Sequence, residues 1–376
     1  MASTELDVEA VVVGAGAVGL ACTALLARHG RSVIVLERNT AVGQETSSRN
    51  SGVIHAGLYY PVGSNKALTC VRGRELLYAR CERDAVPHRR CGKLLVASEP
   101  AEQERLEAIR LRGLENGAGA LTMVGAEEVT RRAPAVRAIA GLWSPETGIV
   151  DAHGLMDSYR AEARAHGAEL VVATRLEGMD PLGSEALRLS TRDEGGETFT
   201  ITTRFVVNAA GLDADAVAAM AGLDVDALGY RLHYCKGDYF ALSSRFRGAS
   251  EHLIYPVPVA AGLGIHLTMD LGGKLTAGPD TEYVDRIHYD VDPAKAAVFA
   301  RAVRRYLPEL RDEDLTPDYA GIRPKLQAPG APVADFVIER ADRNGVPGLI
   351  NLVGIESPGL TASEAIAERV VELTES

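Results

Sequence analysis

The first residues whose spacing suggests chemistry are Gly14-Ala15-Gly16-Ala17-Val18-Gly19. Three glycines so spaced form a turn whose open amides can cradle a pyrophosphate. In that arrangement Gly14 permits the tight turn, Gly16 lets the backbone approach the phosphates, and Gly19 lets a helix pack closely on its strand. A glycine turn alone is weak evidence, since it can equally bind nothing. The flanks decide the matter. Glu9–Val13 is a β-branched run, Leu20–His29 is a small-residue helical stretch stopped by Gly30, and Ser32–Leu36 is a second β-run ending in Glu37. An acid at that place accepts both ribose hydroxyls and repels a 2′-phosphate. Strand, turn, helix, strand and acid together predict a dinucleotide-binding unit.

Two later segments favour FAD over NAD. Arg204–Gly211, RFVVNAAG, is a buried-type strand whose small end, Ala209, Ala210 and Gly211, lets the chain pass close beneath a cofactor. Gly348–Gly354 and Ile355–Thr361 lead into a helix with Ile366, Val370 and Leu373 at i, i+4 and i+7. The N-terminus of that helix faces the strand's end, where its dipole suits the negative charge that develops on a reduced flavin ring. A nicotinamide domain has no need of this returning strand and helix.

His55 lies in Ser51-Gly-Val-Ile-His-Ala-Gly57, whose glycines allow close approach to a ring. Imidazole titrates near neutral pH and can take a hydroxyl proton as hydride leaves the neighbouring carbon. Two other roles are open to it: a histidine bonded to backbone, or one that positions the flavin.

The elements that must carry these residues are legible in outline. Glu102–Asn116 is a helix with Leu106, Ile109 and Leu114 inward, ended by Gly117. Asp151 is placed to cap a helix bearing Leu155 and Tyr159 on one face. Leu170–Ala173 and Phe199–Thr203 are strands beside the second cofactor segment, and Leu232–Leu275 is strand-rich and broken by glycine and proline. Phe299, Val303 and Leu307 mark a further helix. No repeat, low-complexity tract or flexible linker interrupts the chain.

The chain has 376 residues, enough for one large domain or two interleaved ones, and a formal net charge of -11. That charge argues against nucleic acid or an anionic membrane as the main partner. The N-terminus carries Glu5, Asp7 and Glu9 with no basic start before an apolar core, so no signal peptide is expected. No stretch approaches the roughly 18 apolar residues of a membrane helix. Cys22, Cys70, Cys81, Cys91 and Cys235 are odd in number and no pair has metal-ligand spacing. They are expected to be reduced thiols of a cytoplasmic protein, and no metal site is expected.

Over nearly its whole length the chain resembles the D-amino-acid-oxidase-like superfamily of flavoproteins, and within it the L-2-hydroxyglutarate dehydrogenases and oxidases. The most specific stretch is Ser48-Arg-Asn-Ser-Gly-Val-Ile-His55-Ala-Gly-Leu-Tyr-Tyr60-Pro, followed by Gly63-Ser-Asn-Lys66-Ala. Cys91–Ala97, Lys236-Gly-Asp-Tyr-Phe240, Leu253–Pro258, Tyr306–Leu310, Gly321-Ile-Arg-Pro324 and Ser357-Pro-Gly359 match as well. The resemblance implies an α/β (α+β mixed) architecture: a Rossmann-like FAD-binding domain, of the glutathione-reductase type, with an inserted mixed-sheet substrate domain. The expected division is 1–84, 141–225 and 325–376 for FAD, with 85–140 and 226–324 for substrate.

The resemblance also implies roles. FAD is expected against the glycine turn, Glu37, Arg38, Thr46, Ser47, Ser48, Asn50, Ser51, Gly52, Leu176, Ala209, Ala210, Gly211, Arg323, Gly354, Ser357, Gly359, Leu360 and Thr361. Arg323 is expected to anchor the substrate carboxylate through two parallel bonds; the plainer alternative is a surface arginine before Pro324. Superfamily members also offer a third role for His55, covalent attachment of the flavin. Tyr60, Lys236, Tyr239, Tyr255 and His266 are expected around the substrate, with Lys236 holding a second carboxylate, although packing explains each of them alone. His266, in the alternating run Gly264–Met269, is the weaker base; Lys66 is family-like but can be an exposed charge, and Asp335 is structural.

Two positions depart from the hydroxyglutarate pattern. Lys236 stands where an arginine is common, and Glu356 stands before Ser357 where a neutral residue is expected. A carboxylate beside the flavin repels a dianion and welcomes an ammonium, unless it points away or pairs with a lysine. The expected activity is oxidation of a small L-2-hydroxy acid to the 2-oxo acid, with oxygen, a quinone or an electron-transfer protein as acceptor. The alternatives are oxidation of an amino or imino acid C–N bond, an inactive FAD-binding protein, and an NAD-binding regulatory domain.

Overall fold

A run of valines flanked on both sides by other apolar runs builds a buried parallel sheet. In this computed structural model, which describes residues 5–258 and 264–375, Val8–Val13 pairs in parallel with Val33–Leu36 and with Thr198–Asn208. Leu349–Val353 joins the end of Thr198–Asn208, also in parallel, so the returning C-terminal segment closes on the first one. Helices Ala17–Arg28, Ala152–Ala165 and Gly359–Glu375 cover one face with Leu20, Leu25, Leu155, Tyr159, Ile366 and Val370. Thr174–Leu182 and Ala186–Asp193 extend the sheet antiparallel.

The second sheet is mixed and has nine strands. Leu315–Lys325 pairs antiparallel with His233–Leu242, Cys235 opposite Arg323, and the sheet continues through Leu253–Pro256 to Lys93–Ala97 and Ala140–Ser144. Its core includes Leu94, Leu142, Phe240, Tyr255 and Phe299. A small third sheet joins Val53–Ile54, Gly148–Val150 and His88–Arg89. A parallel α/β sheet and a separate mixed sheet are the expected architecture.

Several details differ from expectation. The strand Ala140–Ser144, within which the expected 140/141 boundary falls, pairs in the mixed sheet. Leu114 is 44% exposed; at Gly113 the helix instead comes close to Leu121 and Leu58, leaving no room for a longer inward side chain. The helix Ala296–Val303 ends before Leu307, which is nevertheless buried. His266 precedes the strand Leu267–Met269 rather than alternating within it. Asp151 caps its helix by accepting from the His153 amide at 3.0 Å. Asp335 accepts from the Asn65 and Lys66 amides at 2.6 and 2.9 Å, fixing the start of the helix Asn65–Arg83.

One buried arginine ties three helices together. Arg80 donates to Glu364 at 2.7 Å, Glu162 at 2.5 Å and Ser158 at 3.0 Å, and lies over the Tyr159 ring. Removing one partner of a buried pair leaves the other charge uncompensated. Arg80→Met is therefore expected to lower the unfolding free energy by about 3–5 kcal/mol. The check is the urea midpoint at unchanged slope; a loss below about 1 kcal/mol would contradict the clamp.

Candidate active site

A cavity of about 1710 Å³ has a lining that includes the glycine turn, His55 and Arg323. Sites for a single small ligand span roughly 300–1,000 Å³, so this one has room for a long cofactor with a substrate beside it. The strand Val8–Val13 delivers the turn to the cavity, and the start of the helix Ala17–Arg28 follows it.

The turn is built for close approach. A Cβ on Gly19 would stand 1.9 Å from the Gly14 carbonyl oxygen, so only glycine lets the helix sit on the turn. Ser47 accepts from the Ala17 amide at 2.9 Å, which brings the segment Thr46–Ser51 against the helix start. Glu37 is a buried residue of the cavity wall; it accepts from the Ala15 amide and from Asn39, each at 2.9 Å, and among the described residues no cation lies within ion-pair distance. This suits a carboxylate with acceptor capacity left for ribose hydroxyls. Arg38 is engaged by Glu45 at 2.5 Å and by Asp213. These residues fit FAD.

Gly14, Gly16, Ala17, Val18, Gly19, Glu37, Arg38, Thr46, Ser47, Asn50, Ser51, Leu176, Ala209, Ala210, Gly211, Arg323, Ser357, Gly359 and Leu360 all line the cavity. Ala15, Ser48, Gly52, Gly354 and Thr361 do not, because their polar groups or backbone hold the wall from behind. The Ala15 amide is spent on Glu37, the Ser48 hydroxyl on the Gly43 carbonyl, and the Gly52 amide on Asn50. Gly354 turns the chain at φ +72° after Leu349–Val353. Thr361, fully buried, accepts from the His55 amide at 3.0 Å and donates to the Val53 carbonyl at 3.2 Å.

Thr361 thereby sets His55 against the start of the C-terminal helix. The imidazole Nε2 lies 3.3 Å from the Ser357 hydroxyl, and Tyr60 bonds to the same serine. Burial, then the positive charge of Lys93 and then His266, hold the His55 pKa down at about 3. The ring is held as the neutral imidazole, with its lone pair free of a proton.

Arg323 projects into the cavity from Leu315–Lys325. Nη2 donates to the Asp280 carbonyl at 2.6 Å and Nη1 to Cys235 Sγ at 3.4 Å; among the described residues no carboxylate pairs with it. A Cβ on Gly237 would meet Nη2 at 2.2 Å, so the guanidinium lies across a glycine. Thr46 donates to the Ile322 carbonyl at 3.1 Å, and Tyr319 to the Asn50 carbonyl at 3.0 Å. These bonds register the arginine's strand on the cofactor segment. Tyr239 stacks on Tyr319 at 4.3 Å and Tyr255 on His266 at 3.8 Å; Tyr60, Tyr239, Tyr255 and His266 all line the cavity.

Lys236 does not. Side chains alternate along a strand, and Lys236 is opposite Ile322 while its neighbour Cys235 is opposite Arg323. Its ammonium turns to the other face and pairs with Asp238 at 2.8 Å, so it cannot hold a substrate carboxylate. Lys295 sits on that side as well, caged by Asp238, Asp280 and Glu282 at 2.6, 2.9 and 2.6 Å. Those three carboxylates lie close enough to hold a cation, and the lysine fills that role.

Glu356 is buried between Lys66 at 3.0 Å and Lys325 at 2.9 Å. Burial raises its pKa, but the two ammonium groups outweigh this and hold it below the usual carboxylate value. The group carries a net charge of +1, so it does not repel an anion. Sequence reasoning missed Lys325, Tyr59 and Lys93. Lys325 stands two residues after Arg323, on the same face of the strand, which was a usable signal. Lys93 offered only the oddity of a lysine in the apolar run Lys93–Ala97, all of it buried.

Residues 9–373 match the family model described as FAD dependent oxidoreductase. The chain belongs to this family. It is 40% identical to the mitochondrial L-2-hydroxyglutarate dehydrogenase of Arabidopsis thaliana, over 96% of this chain and 82% of that protein. It is 29% identical to the protein of that name from Homo sapiens, over 96% and 87%. The fold matches L-alpha-glycerophosphate oxidase from Mycoplasma pneumoniae with a TM-score of 0.88 at 24% identity, covering 98% and 95% of the two chains. L-proline dehydrogenase from P. horikoshii matches with a TM-score of 0.81 at 21% identity, covering 99% and 94%. The chain is an FAD enzyme, and no described helix is long and apolar enough to cross a membrane.

Gly19→Ala is expected to yield protein that has lost most of its bound flavin, because its methyl group would collide with the turn that approaches the phosphates. Visible absorbance per mole of purified chain measures this. Wild-type flavin content in the variant would overturn the assigned role of the turn.

Proposed function

We propose that this flavoenzyme oxidises L-2-hydroxyglutarate, or a 2-hydroxy dicarboxylic acid of that class, to the corresponding 2-oxo acid. The carrying observation is the distribution of charge. Arg323 reaches the cavity with no carboxylate partner among the described residues, whereas Glu356, the residue that could have favoured an amine, is taken by two lysines. An ammonium substrate would need an available anion there. The names of the relatives from Arabidopsis thaliana and Homo sapiens support the same substrate.

In this reading 1–84, 145–225 and 325–376 hold FAD, and the remaining segments, with Ala140–Ser144 of the mixed sheet among them, present the substrate. Bound FAD supplies the hydride acceptor that the side chains cannot. The guanidinium of Arg323 binds the substrate's C1 carboxylate and orients the α-carbon. His55 Nε2 accepts the hydroxyl proton, and Ser357 keeps the ring in place. Tyr239 and Tyr255 form apolar walls that exclude water. The electrons then leave to oxygen, a quinone or an electron-transfer protein. All five cysteines are free and buried, consistent with a reducing compartment such as the cytoplasm.

Anaerobic flavin bleaching tests the proposal: L-2-hydroxy acids are expected to bleach the protein, and amino and imino acids to leave it yellow. Bleaching by amines alone would sink it. His55→Ala is expected to lower kcat by about 10²–10⁴-fold, and Arg323→Met to raise KM.

The pH profile is a separate check. With a pKa held down at about 3, His55 is deprotonated throughout the ordinary assay range. Activity is lost only as pH falls towards that value, so kcat/KM is expected to stay flat between about pH 5 and 6.5, the reference histidine pKa. A tenfold fall per pH unit below about 6.5 would show an ordinary histidine instead.

A further inference from the structure

Three buried polar atoms near one end of the cavity have no hydrogen-bond partner among the described residues: Lys93 Nζ, Tyr59 Oη and His55 Nδ1. Lys93 is fully buried, with Nζ 4.8 Å from the centre of the Tyr59 ring and 4.6 Å from that of Tyr255. Tyr59, Tyr255, His55 and His266 line the cavity around it. The groups facing Lys93 are Tyr59 and His55 from the segment after Ile54, Cys70 from the helix Asn65–Arg83, and Tyr255 and His266 from the mixed sheet. None is a carboxylate.

Buried ammonium groups are normally paired, and buried donors normally satisfied. A ligand that carries a carboxylate to this end of the cavity supplies an acceptor for Tyr59 Oη and a counter-charge for Lys93 behind it. His266, in the cavity wall, lies within electrostatic reach of both Lys93 and Arg323; Arg323 lines the cavity itself, whereas Lys93 stands behind the rings of Tyr59 and Tyr255. We propose that Tyr59, backed by the buried ammonium of Lys93, receives the second carboxylate of a 2-hydroxy dicarboxylic acid whose first carboxylate rests on Arg323. This deepens the proposed oxidation and rests on it. The rival cations, Lys66 and Lys325, already share Glu356.

Burial lowers the Lys93 pKa to about 7, so the free site holds a partly neutral amine and a dianion favours its protonated form. The dicarboxylate preference is then fully present below that pH and declines above it.

The test is titration of the purified holoenzyme, followed by its flavin spectrum, with glutarate and with pentanoate. These acids have equal chain length and differ in the second carboxylate. At pH 6.5 glutarate is expected to bind at least about 30-fold more tightly. That ratio is expected to shrink as pH rises from 7 to 9, and to approach one in Lys93→Met. The wild-type pH dependence decides the matter even if the variant does not fold. A ratio insensitive to pH and to Lys93→Met overturns the assignment, as does a ratio lost in Lys325→Met but kept in Lys93→Met. If L-2-hydroxyglutarate bleaches the wild type while the ratio behaves in either of those ways, only this assignment falls. If no 2-hydroxy acid bleaches it, the broader reading falls and takes this one with it.

Discussion

A charge taken out of water must find an opposite charge or a hydrogen-bond partner, and this requirement shapes the interior of the molecule. Arg80 is matched by Glu364 and Glu162, Glu102 by Arg305, Asp314 by Arg245, and Lys236 by Asp238. Lys66 is matched by Glu356 and Arg74 by Glu75. Among the described residues, the buried charged side chains outside this pattern are Glu37 and Lys93. Glu37 lines the cavity, and Lys93 lies behind the tyrosines that do. The unmatched charges thus lie in the cavity wall, for Glu37, and directly behind it, for Lys93.

The same economy positions the reactive groups. In the proposed reading Arg323 meets the substrate beside a cofactor held by a different sheet. The strand Leu315–Lys325 spans that gap, bonded to Thr46 and Asn50 through Ile322 and Tyr319. On its other side the Lys295 cage holds Asp280, whose carbonyl accepts from Arg323 and whose carboxylate accepts from the Asp238 amide. His55 is fixed in the same manner, through Thr361 and Ser357 at the start of the C-terminal helix. Both groups are therefore registered on backbone of the cofactor side, and errors of an ångström in such placement are expensive in rate.

What could be read in the sequence follows from range. The glycine turn, Glu37 and the flanking strands form one local unit, and each of their roles depends on residues within about 30 positions. The parallel sheet was legible because buried strands are apolar on both faces. His55 and Arg323 are expected from residue type and from resemblance, and both line the cavity. Lys236 failed for a geometric reason: alternation places it on one face or the other, and only the pairing register with Leu315–Lys325 decides which. Lys93 was passed over because a lysine opening a strand is ordinarily solvated, and its burial arises from Tyr59 and Tyr255, which converge on it from distant segments.

Glu356 shows how far such convergence can invert an electrostatic argument. Taken alone, a carboxylate beside Ser357 predicts a cationic substrate. Lys66 reaches it from 290 residues away and Lys325 from 31, one from a helix start and one from the arginine's own strand. Each ammonium would be costly to bury alone, and so would the carboxylate; together they form a group of net charge +1 in the wall. The positive surplus survives only because there are two lysines to one acid. Replacing Glu356 by a neutral residue would add to that surplus while stranding two buried cations, so the acid is compatible with an anionic substrate and helps make the lysines tolerable there.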